Sequence, residues 1–190
     1  MLATEFLHGQ GLGNQLFCYV TTRMLAHRHG YDFGIKGLKS AGDSRVNQKG
    51  FYFMNLDYGK EVPDDLERYD EYRHALKTDE WIKTDLRLTD KNLLTISDNK
   101  IIYGVMQSED YFGHHKEEIK KRLKVKEEHD THEYTKDNLC IMNFRGGEYM
   151  NSPTLVSKRY WEKAMDNMRQ VRSDMEFMVV TDDVASAKTF

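Results

Sequence analysis

The 190-residue chain has little cysteine, no marked charge of one sign and no long uninterrupted apolar run. Its two cysteines, Cys18 and Cys140, lie far apart inside apolar segments and form no C-x-x-C pair, which argues against a disulfide framework and for buried thiols in a reducing, cytoplasmic compartment. The 28 basic and 31 acidic residues are well mixed and leave a formal net charge of −3, so no general field draws the chain to nucleic acid or an anionic membrane. A polyanionic ligand must be held by locally placed cations. Met1 to Leu7 lacks a basic n-region and is too short for a signal sequence, and Arg23 interrupts the longest apolar helix. No targeting or membrane-spanning segment is expected, and at most peripheral association with an inner membrane face. There is no internal repeat or low-complexity tract.

What the chain does have is Gly9-Gln10-Gly11-Leu12-Gly13-Asn14-Gln15-Leu16-Phe17, three glycines and an Asn between an apolar first segment and an amphipathic second one. It reads as a strand, a tight turn and a helix start. Glycine costs conformational entropy unless the chain needs positive φ or close backbone approach, so a ligand or another backbone is expected near Gly11 and Gly13. The free N–H groups and partial positive charge of a helix start suit a phosphate or a sugar hydroxyl. A dinucleotide fingerprint would need glycine at Asn14 or Leu16, and a nucleoside-triphosphate loop would need Lys-Ser/Thr after Gly13, where Asn14-Gln15 stand. A glycine turn that merely permits strand-to-helix packing is the competing explanation.

Ala3 to His8 reads as a buried strand, and Leu12, Leu16, Phe17, Val20 and Met24 recur at helical spacing in a helix ending near Gly30. Tyr31 to Lys36 reads as a second strand, and this opening predicts an α/β fold with a parallel sheet. Residues 37–100 are polar and dotted with aromatics, and loops and short helices are expected there. Phe51 to Tyr58 could stack on a sugar, or be buried under a loop. Lys100 to Val105 is a strand candidate, followed by a helix over His114–Leu123 supported by Glu117 and Lys121 at i,i+4. Lys124 to Asp137 is charged and nearly free of large apolar residues. The expected organisation is a first α/β domain over 1–125, a charged linker over 126–137 and a second, incomplete domain over 138–190. The latter has strands Leu139–Phe144 and Glu176–Thr181 around a helix from Ser157 to Gln170 that buries Tyr160, Trp161, Ala164, Met165 and Met168. A sheet ending after two strands leaves apolar edges and faces open, so the polypeptide is expected to be a truncated form of a longer one.

Asn143-Phe144-Arg145-Gly146-Gly147-Glu148-Tyr149 follows a predicted strand at the sheet edge where open α/β folds bind ligands. Arg145 offers a planar fork of donors to a phosphate, and Gly146-Gly147 let that phosphate approach the backbone. Alternatively, Arg145 is a surface residue at a turn. Thr181-Asp182-Asp183 closes another strand, where an Asp either lines the ligand site or caps the next helix. His129-Asp130-Thr131-His132-Glu133 has zinc-like spacing, but a closed site needs a preorganised fold that this charged segment lacks, so no metal is assigned. His114-His115 is expected to begin a solvated helix.

Taken in order, Gly9-x-Gly11-Leu12-Gly13-Asn14-Gln15-Leu16-Phe17, Gln107-Ser108-Glu109-Asp110-Tyr111-Phe112, Asn143-x-Arg145-Gly146-Gly147-Glu148-Tyr149 and Thr181-Asp182-Asp183 resemble the α-1,2-fucosyltransferases of glycosyltransferase family 11. The resemblance covers nearly the whole chain. It implies a metal-independent, inverting transferase of GT-B type, needing no cofactor beyond GDP-fucose as donor, with an acceptor-side N-terminal domain and the first part of a Rossmann-like donor domain. The partners it implies are a nucleotide sugar and a galactose-containing glycan. Arg145 matches the arginine that binds the donor's β-phosphate in the family's His-x-Arg-Arg-x-Asp motif, while Asn143 replaces the His, Gly146 the second Arg and Glu148 the Asp. Asn14 would orient the sugar or the attacking hydroxyl. Gly11, Gly13, Gly146 and Gly147 would approach the ligand, and Asp182 and Asp183 would shape the nucleotide pocket or cap its helix. Glu148 and His8 are both candidates for the general base. The alternatives are a non-catalytic nucleotide-sugar or glycan-binding module and a related transferase using another nucleotide sugar.

Overall fold

In a computed structural model of the chain, which describes residues 1–6, 10–37, 53–71, 89–130, 134–150, 152–153 and 155–189, the first apolar run forms a short buried strand, β1 (Leu2–Thr4). His8, Gly9, Phe51, Tyr52, His132 and the Glu148 side chain lie outside the described residues. After β1 comes α1 (Leu12–His29), which ends on Gly30, whose φ of 72 lets its N–H bond back to the last helical carbonyls. Strand β2 (Phe33–Ile35) follows. Two further strands, β3 (Glu67–Asp70) and β4 (Lys100–Tyr103), complete a four-stranded sheet of order β2-β1-β4-β3 in which every pair is parallel.

Side chains of a strand alternate between faces, and both faces of this sheet are covered. Leu2, Phe33, Ile35 and Ile102 join the larger core with Cys18, Tyr19 and Leu25 of α1. Ala3 and Ile101 point the other way, to a smaller cluster with Leu66. The helix is buried more widely than its apolar spacing predicts: Gln15, Thr21 and Thr22 are buried with Cys18, Val20 and Met24, while Leu12, Leu16 and Phe17 are half-buried. Thr21 and Thr22 find partners, as where the Thr21 hydroxyl donates to the Met106 carbonyl at 3.4 Å, whereas the Gln15 Oε1 has none among the described residues.

The expected helix over 114–123 is shorter. Gly113–His115 is a 3-10 turn, and α2 spans Lys116–Arg122. Glu117 pairs with Lys120 and Glu118 with Arg122, in place of the anticipated Glu117–Lys121 pair.

The chain divides into two compact units, Met1–Asp130 and Thr131–Phe190. Residues 126–129, expected to belong to the linker, dock on the first unit together with Val125. Met54 and Val125 form an antiparallel bridge, the Lys126 N–H donates to the Phe53 carbonyl at 2.8 Å, and the His129 ring lies edge-on to Phe53 at 4.8 Å. Backbone pairing of this kind needs few apolar side chains, so charge alone did not mark the segment as free.

In the second unit β5 (Leu139–Phe144) and β6 (Glu176–Thr181) are parallel neighbours joined through α3 (Lys158–Val171), and a last turn of helix, α4, covers Val184–Ala187. Trp161, Ala164, Met165 and Met168 share the inner face of α3 but are half-buried, and Tyr160 is exposed rather than buried. Cys140 is likewise half-buried, whereas Cys18 is fully buried. Two strands and one helix do not enclose a face on both sides.

Candidate functional site

In the first unit the chain leaves β1 toward β2, while β4 pairs with the opposite side of β1. Such a reversal point, outside the carboxyl ends of the strands, is where open parallel sheets bind ligands. The glycine-rich turn and the segment after β4 both belong to this edge. Gly11 is the N-cap of α1, in extended backbone, and supplies no side chain to cap it; the first turn carries no acidic residue. Among the described residues no side chain caps the helix start, whose N–H groups and partial positive charge suit a ligand or water. A Cβ built on Gly11 or Gly13 would meet no described atom within 4 Å, and neither glycine has positive φ. Packing among the described residues does not require glycine at either position.

Asn14 lies in the first turn of α1, and its Oδ1 accepts a 2.6 Å hydrogen bond from Gln107 Nε2. This bond leaves Asn14 Nδ2 without a hydrogen-bond partner among the described residues. One turn further on, the Phe17 ring stands 6.0 Å from Phe112. Two motifs that are some ninety residues apart in sequence thus meet at one edge of the sheet.

The loop carrying Gln107 is held from beneath by Glu71, a residue that sequence reasoning missed. Glu71 is fully buried just beyond β3. Its Oε2 accepts the N–H groups of Val105 and Met106 at 3.0 and 2.9 Å, and its Oε1 accepts the Tyr111 hydroxyl at 2.9 Å. Together these donors offset the desolvation of the carboxylate. The loop must bend sharply there: Met106 has φ 48, in the left-handed region that costs a side-chain-bearing residue about 1–2 kcal/mol. Such a conformation persists where its surroundings over-determine it, here through Glu71 and Thr21. Gly104 is needed because an added Cβ would lie 2.6 Å from Glu71 Oε2.

Tyr111 is the pillar of the second motif. It is 1 % exposed, accepts the Asp90 N–H at 2.8 Å while donating to Glu71, and burial followed by the Glu71 charge pushes its phenol pKa well up. The Tyr69 hydroxyl donates to Asp90 Oδ2 at 2.8 Å, extending the network to the edge strand. Cys18 donates to the Gly104 carbonyl at 3.4 Å, and burial raises its thiol pKa to about 12, so it is a packing group and no nucleophile.

In the second unit, Arg145, Gly146 and Gly147 follow β5 while Asp182 and Asp183 follow β6, and the structure brings these five together. Asp182 Oδ1 accepts the N–H groups of Gly146 and Gly147 at 2.9 and 3.2 Å, and its Oδ2 stands 3.8 Å from Arg145 Nε. The pair of amides expected to receive a phosphate receives a carboxylate of the same unit. A Cβ on Gly146 would lie 2.8 Å from the Phe144 ring, and one on Gly147 3.0 Å from Asp182 Oδ2, so these two glycines have a packing reason. Asp183 caps α4, accepting the Ser186 N–H at 3.0 Å, and the Ser186 hydroxyl and this amide hold its pKa below the usual carboxylate range. The Arg145 side chain is 58 % exposed, with its guanidinium carbon 5.0 Å from the centre of the Tyr149 ring.

No family model, no characterised protein and no solved structure matches the chain. Among the described residues no three His, Cys, Asp or Glu side chains are grouped to hold a metal ion, and no helix is long and apolar enough to cross a membrane.

Proposed function

We propose that the chain is a glycosyltransferase of the α-1,2-fucosyltransferase kind and GT-B type, which moves L-fucose from GDP-fucose to a galactoside hydroxyl with inversion and without a metal. The observation that carries this reading is the Gln107–Asn14 hydrogen bond of 2.6 Å beside open glycines at the carboxyl edge. It supports treating the first two motifs as parts of one site. In the reaction, the acceptor oxygen bonds to the anomeric carbon as the bond from that carbon to the β-phosphate oxygen breaks. GDP leaves with the electron pair, and the hydroxyl proton passes to a general base, for which Glu148 and His8 remain the candidates. Arg145 neutralises the charge growing on the diphosphate, a contribution of about 3–4 kcal/mol when confined to the transition state. Asn14, its carboxamide fixed by Gln107, orients the sugar or the attacking hydroxyl.

One observation favours a second reading, a non-catalytic nucleotide-sugar or glycan-binding module: Asp182 already occupies the Gly146 and Gly147 amides next to Arg145. Incubating the chain with GDP-fucose and a β-galactoside, with products followed by mass spectrometry, separates the two. A fucosylated galactoside from the parent and none from Arg145→Ala supports the transferase. Donor binding without turnover favours the module, and absence of both binding and turnover overturns both.

A further inference from the structure

Three features that cost the first unit stability converge on the residues just before Gln107. Glu71 puts a carboxylate in the fully buried interior beyond β3, where an apolar side chain of similar shape would cost less. Met106 takes φ 48, a conformation that glycine adopts without strain. Gly104 has no room for a side chain, since its Cβ would fall 2.6 Å from both Cβ and Oε2 of Glu71. A loop built for stability alone needs none of the three. Strain that persists in such company marks a place where geometry matters.

The connections run outward from the sheet. The Glu71 N–H donates to the Tyr103 carbonyl at 2.8 Å, which ties Glu71 to the end of β4, and its Oε2 accepts both the Val105 and Met106 N–H groups. On the far side of Gln107, the Ser108 N–H donates to the Met106 carbonyl at 2.9 Å and the Ser108 hydroxyl pairs with that of Thr89 at 2.7 Å. Gln107 is thereby fixed through both neighbours. Its half-buried side chain then reaches Asn14 at the start of α1.

We infer that Glu71 is a positioning residue for the site at the carboxyl edge: through Val105 and Met106 it sets the reach of Gln107, and so the orientation of the Asn14 carboxamide. It touches no substrate itself. Its consequence for catalysis rests on the transferase reading, whereas the linkage from Glu71 to Asn14 belongs to the first unit alone. Holding a group in productive geometry lowers the barrier without tightening ground-state binding, and misplacing it by about 1 Å costs about 10²-fold in rate. Aspartate at position 71 would keep the charge and draw the carboxylate back by one carbon, about 1.5 Å. Glutamine would keep the length and an acceptor oxygen for the two amides.

The test follows fucosyl transfer to a galactoside and, on isotope-labelled protein, the side-chain amide resonance of Gln107, identified by its loss in Gln107→Ala. Urea unfolding sets conditions in which each variant is folded. Glu71→Asp should lower kcat about 10²-fold while KM for GDP-fucose stays within about threefold of the parent, and should move the Gln107 resonance to that of a free carboxamide. Glu71→Gln should recover at least about tenfold of that loss and keep the bonded resonance. A merely structural role would lower the unfolding midpoint of both variants and leave the kcat and KM of the folded protein unchanged. Should Glu71→Asp not fold, Gly104→Ala pushes on the same carboxylate from the other side and is read in the same way. An unmoved Gln107 resonance in Glu71→Asp, or equal loss of kcat in Glu71→Asp and Glu71→Gln, overturns the role of Glu71 and leaves the transferase reading standing. Absence of transfer by the parent overturns the transferase reading, and the resonance then decides the linkage from Glu71 to Asn14 by itself.

Discussion

Gly13→Ala separates the two explanations of the glycine-rich turn. Gly13 is the second residue of α1, is exposed, and offers a new methyl group open space, with no described atom within 4 Å. Alanine is favoured over glycine inside a helix by about 1 kcal/mol, and a first-turn position realises about half of that. The variant should therefore be more stable by about 0.5 kcal/mol, which for a unit of this size raises the melting temperature by about 2 °C. If the turn instead keeps glycine so that a ligand can approach its backbone, the same methyl obstructs that approach. Losing one hydrogen bond to a neutral sugar hydroxyl costs about 0.5–1.5 kcal/mol, or about two- to tenfold in affinity for GDP-fucose. Thermal unfolding by circular dichroism and calorimetric titration read the two effects separately. A destabilised variant would show that packing dictates Gly13. A stabilised variant that binds GDP-fucose as tightly as the parent would refute the ligand explanation.

Tyr111→Phe removes a hydroxyl that donates to the buried Glu71 carboxylate and accepts from Asp90, and should destabilise the first unit by about 3 kcal/mol in urea unfolding; a loss under about 1 kcal/mol would mean that these bonds are not formed as described. His115 packs edge-on against His27 at 5.7 Å, and desolvation, then the His27 and Arg28 charges, hold its pKa below the ordinary 6.5. The unfolded chain therefore binds a proton first, so His115 lowers stability as pH falls from about 6.5 toward its depressed folded value, and His115→Gln should flatten that part of a stability–pH curve. An unchanged slope between pH 6.5 and 5 would contradict this.

The elements most legible in the sequence are those whose side chains alone dictate the backbone. β5 and β6 fall on the expected Leu139–Phe144 and Glu176–Thr181, because near-continuous apolar runs bounded by polar turns leave little choice. β3 was illegible: Glu67-Arg68-Tyr69-Asp70 has no apolar alternation and forms an edge strand through its backbone ladder with β4. Glu71 was hidden with it, since a buried carboxylate satisfied by distant amides has no local signature. At the site, the glycine turn and Gln107–Phe112 were visible as separate motifs, while their meeting through Asn14 and Gln107 depends on the β1–β4 pairing. Asp182 lay in a visible motif, but its placement on the Gly146 and Gly147 amides follows from the β5–β6 register. For α3, helical periodicity identified the inner face but not how much of it the two-stranded sheet covers.

Whether Asn14 and Gln107 act as one unit in sugar transfer is decided by a double-mutant cycle on the rate of fucosyl transfer to a galactoside. Residues that act together lose their effect once, so Asn14→Ala combined with Gln107→Ala should be no slower than the slower single variant. Fully additive losses, or rates equal to the parent's in all three variants, would show that the two side chains do not act together in transfer.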